Sequence, residues 1–376
     1  MEGISEEQQV AWLRLSTAEL PPTRLRLLLE SFQSDAAALM AASTEQLRAV
    51  APDLSAKQRE RLAAASRRDV DNERGVLERL GAHLVPFSDP TYPSGLRPLV
   101  DAPPLLYVRG ALLADDKFSL AVVGSRRASS YGLSIAERFS RELAARGLTI
   151  VSGGARGIDT RAHRGALEAS GRTIAFIGCG LDVNYPTENK KLFEEIVSEG
   201  HGAVVTEFAL GTTPEPWRFP ARNRLISGTA LGTLVIESPI DSGALITATD
   251  AANQGREVFA IPGPIETGKN AGCHKLIQEG AKLVQSPQDI LDELGILALT
   301  SEDSEAASAG RLMPVPAGLP PEQQRLLEML TLQARHVDSL IAESGYTAPQ
   351  VTGILTLLEM RGLARRVPGN AFVRVL

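Results

Sequence analysis

Residues 148–162 read LTIVSGGARGIDTRA. The β-branched run Thr149, Ile150, Val151 suits a buried strand. Gly153, Gly154 and Gly157 follow, and from Ile158 the apolar spacing turns helical. The stretch is therefore a strand, a glycine-rich turn and a helix start. Glycine allows tight turning and close approach of a ligand to the backbone. The first-turn amides of a helix attract phosphate, so the helix start at Ile158 is expected to hold one. Arg156 sits in the loop, and Arg161 and Arg164 follow on the helix. The plainer alternative is that these glycines only pack a strand against a helix. An arginine-bearing pattern recurs in two further stretches, which favours an anion.

Around this unit, strands and helices alternate. Strands are predicted at 119–123, 149–151, 173–177, 203–206, 233–237, 257–261 and 282–284. Helices are predicted between them, as at 135–146, 158–169 and 188–199. Alternation of this kind implies an α/β fold with a doubly wound parallel sheet. Ligands on such sheets bind beyond the carboxyl ends of the strands. Residues 76–113 carry strands at 82–86 and 105–108, joined by proline-broken backbone.

Before this region, 10–15, 23–32, 35–40, 44–50 and 56–65 are short amphipathic helices. Ser, Thr or Asp stands before several of them. The order is that of a helix-hairpin-helix or sterile-alpha-motif module, which holds DNA, a protein or nothing. Residues 301–318, SEDSEAASAGRLMPVPAG, read as a linker. Beyond it, helices at 322–332, 337–343 and 349–361 precede strands at 363–367 and 371–375, with Pro368, Gly369 and Asn370 at the turn. Three helices and a hairpin are winged-helix order. The predicted division is a helical domain at 1–75, an extended Rossmann-like domain at 76–297, a linker at 298–318 and a winged helix at 319–376.

The chain has 376 residues, 43% of them hydrophobic, and a net charge of −6. That charge argues against a generally basic nucleic-acid protein, so charge has to be read locally. Cys179 and Cys273 form neither a disulfide framework nor a metal-binding pair, which implies a reducing cytoplasm. The polar, acidic start is unlike a signal peptide, and no apolar run reaches membrane-spanning length. A cytoplasmic protein with no membrane association is expected.

Read locally, the charge is uneven. Residues 118–290 hold 18 Lys and Arg against 18 Asp and Glu. Yet three stretches expected at strand ends concentrate arginine. Gly124-Ser125-Arg126-Arg127 is the first and 153–164 the second. The third, taken as a loop, is 217–224, WRFPARNR. They hold Arg126, Arg127, Arg156, Arg161, Arg164, Arg218, Arg222 and Arg224, and Asp159 is the acid among them. A neutral domain that gathers arginine at one sheet edge suits a localised anion, and the guanidinium fork suits phosphate. Arg161 and Arg164 also read as ordinary helix-surface charges. Trp217 and Phe219 add rings on which unpaired bases stack. The alternative is core packing, to which Phe219, ahead of Pro220 in a polar stretch, is the less suited.

Asp159, Asp182, Glu207, Glu237 and Asp241 also fall near strand ends, where paired carboxylates do acid/base work. Asp159 more simply caps a helix, Asp182 and Glu207 read as braces for arginines, and His163 as structural. No metal-ligand spacing, Ser/His/Asp order or Walker lysine is present, so no catalytic group, metal or cofactor is predicted.

At these loops the sequence resembles the DNA-processing protein A family, DprA or Smf. The matching stretches are VGSRRASSYG at 123–132, SGGARGIDTRAH at 152–163, GCGLDVNYPTEN at 178–189, FPARNRLISG at 219–228, ESPIDSGALITA at 237–248 and GCHKLIQEGAKLV at 272–284. The bridge DPTYPSGLRPLVDAPPLLYVRG at 89–110 is also similar, and the motifs keep the family's order from about 80 to 290. SGGARGID departs from the SGLA or SGMA of many members, and Cys273-His274 stands where Ser-Asn is common. The resemblance implies an extended Rossmann-like domain that binds single-stranded DNA, protects incoming strands in natural transformation and loads the RecA recombinase. It implies a dimeric, non-enzymatic protein. By motif position, Arg126, Gly153, Gly154, Arg156 and Gly157 would line the phosphate site, with Phe219, Arg222, Asn223 and Arg224 contacting bases.

Two enzyme classes compete with this reading. A phosphoribohydrolase would use Glu237 or Asp159, but SGTALGTLVIE at 227–237 keeps only the GT and the glutamate of that class's PGGxGTxxE loop. A dinucleotide-dependent oxidoreductase lacks its GxGxxG here. Apolar Leu276, Ile277 and Leu283, expected on the last helix and strand at the sheet edge, suit a homodimer contact, core packing being the alternative. The would-be recognition helix APQVTGILTLLEMRG has no Lys or Arg before Arg361, and 319–376 holds six Arg against five acids. Weak or no duplex binding is therefore expected of the C-terminal module, through Arg365, Arg366 and Arg374 on the wing.

Overall fold

The N-terminal helices start where side chains can cap them. They are α1 (Glu6–Ser16), α2 (Pro22–Ser31), α3 (Ala36–Ala41), α4 (Thr44–Val50) and α5 (Ala56–Ala65). Ser5 and Asp35 accept first-turn amides of α1 and α3, while Ser43 with Gln46 and Ser55 with Gln58 form reciprocal capping boxes. A sixth helix, α6 (Asp71–Leu80), runs across the boundary expected at 75. Its sequence DNERGVLERL keeps its three apolar residues, Val76, Leu77 and Leu80, to the second half, behind a polar start that reads as a connection. The computed structural model describes residues 4–295, 319–330, 335–361, 363–367 and 371–374. They divide into two compact units between Leu294 and Gly295.

In the first unit nine strands build one sheet: β1 (Ala82–Pro86), β2 (Leu105–Gly110), β3 (Ser119–Val123), β4 (Thr149–Ser152), β5 (Thr173–Phe176), β6 (Gly202–Thr206), β7 (Gly232–Val235), β8 (Glu257–Ala260) and β9 (Lys282–Leu283). Their order is β1-β2-β6-β5-β4-β3-β7-β8-β9. From β6 to β9 the pairing is parallel, and β1 and β2 add an antiparallel extension on β6. The helices between strands are α7 (Ser130–Ala144), α8 (Ile158–Glu168), α9 (Lys190–Val197), α10 (Arg218–Thr229), α11 (Gly243–Asn253) and α12 (Ala271–Gln278), with α13 (Pro287–Leu294) after β9. This is the doubly wound parallel sheet expected from the alternation, in the extended Rossmann-like form that the family resemblance implies.

Central β3 is wholly buried, and its Ala121 faces Val151 of β4 on one side and Thr233 of β7 on the other. The chain leaves β3 toward β4, β5 and β6, then returns to place β7 on the opposite side. The β3/β7 boundary is thus the topological switch point, where the loops beyond two strand ends part and leave a crevice.

The helical module has no separate core. Trp12, Leu28, Leu39 and Leu77 join one apolar cluster with Leu84, Tyr107, Ile177, Phe193 and Val204 of the α/β part. Residues 218–229 are helical, not a loop as expected. Pro220 lies in the first turn of α10, where a missing amide breaks no intrahelical bond.

The second unit contains α14 (Pro321–Met329), α15 (Val337–Ser344) and α16 (Ala348–Met360). Its strands β10 (Arg335–His336), β11 (Ala364–Val367) and β12 (Ala371–Arg374) pair antiparallel in the order β10-β12-β11. Leu326, Leu340, Leu355 and Phe372 form its core. The winged-helix order holds, with β10 as a strand the sequence reading omitted. The linker at 298–318, residues 331 and 332 of the first expected helix, and the turn at 368–370 lie outside the described residues, as do the side chains of Arg365, Arg366 and Arg374 on the expected wing.

Candidate nucleic-acid interface

A cleft of about 680 Å³ opens at the switch point. The loop after β3 supplies Gly124, Ser125, Arg126 and Arg127; α10 supplies Phe219, Pro220, Arg222 and Asn223; Pro239, Ser242 and Gly243 come from beyond β7. Asp159, Tyr185, Lys269, Pro214 and Pro216 also line it.

The β3 loop is held by its own backbone. Ser125 N–H donates to the Glu237 carbonyl at 2.7 Å, and Ser125 Oγ accepts the Arg127 amide at 3.1 Å. The Arg126 and Arg127 side chains stay exposed, and no carboxylate among the described residues pairs with either. The Arg126 guanidinium lies 4.9 Å from the centre of the Phe219 ring. Tyr185 is tilted against Phe219 at 5.5 Å. The cleft thus offers a cation beside an aromatic wall.

Arg222 forms a different kind of site. It is 3% exposed, and its Nη2 donates to the Gly153 carbonyl at 3.1 Å, while its buried Nε has no partner. Burial lowers its pKa to about 10, so it remains a cation at neutral pH. Asp159 lies beside Gly153 and Arg222; burial raises its carboxyl pKa, and the opposing charge of Arg222 pulls it back. Asp159 Oδ2 accepts the Ala155 amide at 3.2 Å, so it staples the glycine loop. Asn223 Nδ2 donates to the Gly243 carbonyl at 3.3 Å and ties α10 to the start of α11.

Other expected contacts are placed elsewhere. Gly153, Gly154 and Gly157 pack protein against protein. A Cβ at Gly157 would collide with the Ser125 carbonyl and approach the Arg126 backbone at 2.9 Å, and its φ of +79° suits glycine. A Cβ at Gly154 would stand 2.9 Å from the Phe193 ring, and one at Gly153 would strike the Arg222 guanidinium. The start of α8 is covered as well. The Ile158 amide donates to Ser125 O and the Thr160 amide to Ala155 O, at 3.3 and 3.1 Å. Of those two amides, that of Ile158 ties the glycine loop to the loop after β3, and that of Thr160 closes the glycine loop on itself.

Arg224 is also internal in role. It forks onto Glu207 at 2.6 and 2.8 Å and reaches Asp101 at 2.7 Å, its side chain only 15% exposed. Arg156 pairs with Glu188 at 2.7 Å, Arg161 with Glu137 at 2.8 Å and Arg164 with Glu195 at 3.7 Å. Neither Arg156 nor Arg224 lines the cleft. Glu207 braces an arginine as expected, whereas Asp182 accepts the Gly211 amide instead.

Glu237, the would-be catalytic acid, is 1% exposed and accepts the Ser129 amide at 2.8 Å and the Ser129 hydroxyl. It anchors the start of α7 and does not line the cleft. His163 is fully buried, with Nδ1 2.7 Å from Thr173 Oγ1, and burial lowers its pKa to about 3. Burial likewise raises the Cys179 thiol to about 11 and Cys273 to about 12, so neither is a ready thiolate. Among the described residues no group of three or more His, Cys, Asp and Glu is placed to hold a metal, and no helix is long and apolar enough to cross a membrane. Leu283 is 42% exposed on edge strand β9, while Leu276 and Ile277 are partly buried against the sheet core; α13 follows them.

Tyr185 and Lys269 are cleft residues that the sequence reading passed over. Tyr185 lay inside the quoted NYPTEN stretch, but a lone lysine in a glycine-rich loop carries no signal.

The description DNA recombination-mediator protein A matches residues 83–295, and a DprA winged helix domain matches residues 311–370. Protein Smf of Escherichia coli is 39% identical over 324 residues, 86% of this chain and 85% of the relative. The X-ray structure of DNA processing protein A from Streptococcus pneumoniae is similar with a TM-score of 0.65 and 38% identity, covering 78% of this chain and 99% of that one. A structure of DNA processing protein A from Helicobacter pylori, described for its single-stranded DNA binding mode, gives a TM-score of 0.51 and 29% identity over 57% of this chain and 95% of that one.

Proposed function

The chain belongs to the DNA recombination-mediator protein A family, and from that membership we propose that the cleft at the β3/β7 boundary binds single-stranded DNA. The observation that carries the reading is the pair of exposed, unpaired arginines, Arg126 and Arg127, beside the Phe219 and Tyr185 wall. Guanidinium groups neutralise backbone phosphates, and rings take the faces of unpaired bases. Lys269 on the lining and buried Arg222 at the floor add positive potential. The single-strand binding mode described for the Helicobacter pylori relative supports the same reading.

The protein acts without turnover in this account, because the glutamate that an enzyme reading needs is engaged at the start of α7. It protects incoming strands in transformation and hands them to a RecA-type recombinase, working as a homodimer through Leu283 of edge strand β9 with Leu276 and Ile277 beside it. The winged-helix unit contributes weak duplex contact or none. Light scattering at micromolar concentration is expected to give a dimer mass. The direct test of the cleft compares fluorescent single- and double-stranded oligonucleotides of equal length across salt. Single strands should bind more tightly, with affinity falling as salt rises. Equal affinity for both forms, or no single-strand binding at low salt, overturns the proposal.

A further inference from the structure

One ring next to the cleft has no partner large enough to cover it. Trp217 is 61% exposed, whereas Trp12, the other tryptophan of the chain, is 3% exposed. Trp217 immediately precedes α10, between Pro216 and Phe219, which both line the cleft. It does not itself line the cleft but is bonded directly to a residue that does, Pro216. Its ring is not loose. The Arg218 guanidinium lies 4.8 Å from its centre, Arg218 Nη1 is tethered to the Thr213 carbonyl, and the same guanidinium stands 5.7 Å from Phe208. Pro214 and Pro216 restrict the backbone leading into it. A rigid indole backed by a fixed cation presents a π-surface at little entropic cost.

The surrounding charge selects the occupant. The Arg218 cation at the ring is offset by exposed Glu215 two residues earlier, so the ring's surroundings offer a phosphate no net charge. The group that Trp217 meets is then a base and not the backbone. We propose that Trp217 is a second stacking platform, which takes a nucleobase of the same unpaired strand where it leaves the cleft. The inference rests on the single-strand reading of the cleft. It adds selectivity, because the bases of a duplex are already stacked and offer no free face.

The test uses the full chain and oligothymidylates of increasing length, followed by end-label anisotropy and by intrinsic tryptophan emission. Stacking on Trp217 should quench emission as anisotropy saturates, with buried Trp12 left as the constant background. Trp217→Phe should remove the quenching yet keep most of the affinity, since phenylalanine also stacks. Trp217→Ala should weaken binding about five-fold or more, with the salt slope and the melting temperature unchanged. The loss should appear only above the length that fills the cleft. Saturating anisotropy with unaltered emission, or Trp217→Ala binding every length like the parent, overturns the platform while leaving the cleft reading intact. No anisotropy change in the parent overturns both.

Discussion

The loop after β3 brings Arg126 and Arg127 together and the middle of helix α10 brings Arg222 and Arg224 together, and the structure treats the two pairs in opposite ways. Arg126 and Arg127 stand exposed at the cleft and form no salt bridge among the described residues, with buried Asp159 the carboxylate that shares the lining. Arg222 and Arg224 are drawn inward, one onto the Gly153 carbonyl and the other onto Glu207 and Asp101. The difference lies in where the acids come from. Glu207 and Asp101 are 17 and 123 residues from Arg224 along the chain, so a local count of charge does not register them. Arg156, Arg161 and Arg164 are matched in the same way by Glu188, Glu137 and Glu195. Arginine clustering locates the functional end of the sheet, and the remote acids determine which arginines remain available to a ligand.

The contrast should be sharpest in stability. Arg224→Ala strands Glu207, whose side chain is only 12% exposed, and removing one partner of such a pair costs about 3–5 kcal/mol. Arg126→Ala should stay within about 0.5 kcal/mol of the parent. Denaturant melts of the two variants check this, and similar losses in both would erase the distinction between loop and helix.

Acid exposes the buried side of the comparison in a second way. The folded protein holds His163 neutral down to a pKa of about 3, through burial first and the charge of Arg222 second, while the unfolded chain takes a proton near 6.5. This contribution is fully present above pH 6.5 and is lost as pH falls from 6.5 toward 3, at no more than about 1.4 kcal/mol per pH unit. Asp159, with its raised carboxyl pKa, acts in the opposite sense and loses its contribution as pH rises above 3.8. His163→Gln should therefore flatten the acid limb of the stability profile. An identical limb in parent and variant would show that the histidine is protonated in place.

On the ligand side, Phe219→Ala should weaken single-strand binding by about 1–3 kcal/mol with the salt dependence unchanged, because stacking carries little charge. A change of slope in filter-binding or anisotropy titrations would instead make Phe219 a support for Arg126, whose guanidinium rests on its ring.

The sheet was legible because buried strands have a simple signature. Runs such as Leu120–Val123 and Thr149–Val151 are β-branched or apolar throughout, and a glycine closely follows each strand, Gly124 and Gly153. The antiparallel attachment of β2 to β6 was not legible, since pairing between strands that end at Gly110 and begin at Gly202 leaves no local trace. Helix α10 was hidden by Pro220 and three arginines, which look like loop chemistry until the proline falls in a first turn. The glycine loop was located correctly. A sequence does not reveal that the Ser125 carbonyl, from another loop, takes the Ile158 amide at the start of α8. The two rings of WRFP were ordered the wrong way for exposure: Trp217 is outside, and Phe219 is half-buried over Gly178 and Tyr185. At about 100° per residue, Trp217 and Phe219, two positions apart at a helix start, point in nearly opposite directions, which only a known helix register assigns.

The smallest change, and the most direct examination of the cleft, is the slope of binding against salt for Arg126→Ala/Arg127→Ala. Each phosphate contact on a single strand contributes about 0.7 to the slope of log K against log salt. The double variant should keep its melting temperature, bind single-stranded oligonucleotide more weakly at low salt, and lose about 1.4 from that slope. Parent-like affinity and slope at every salt concentration would contradict the account and place the strand elsewhere on the protein.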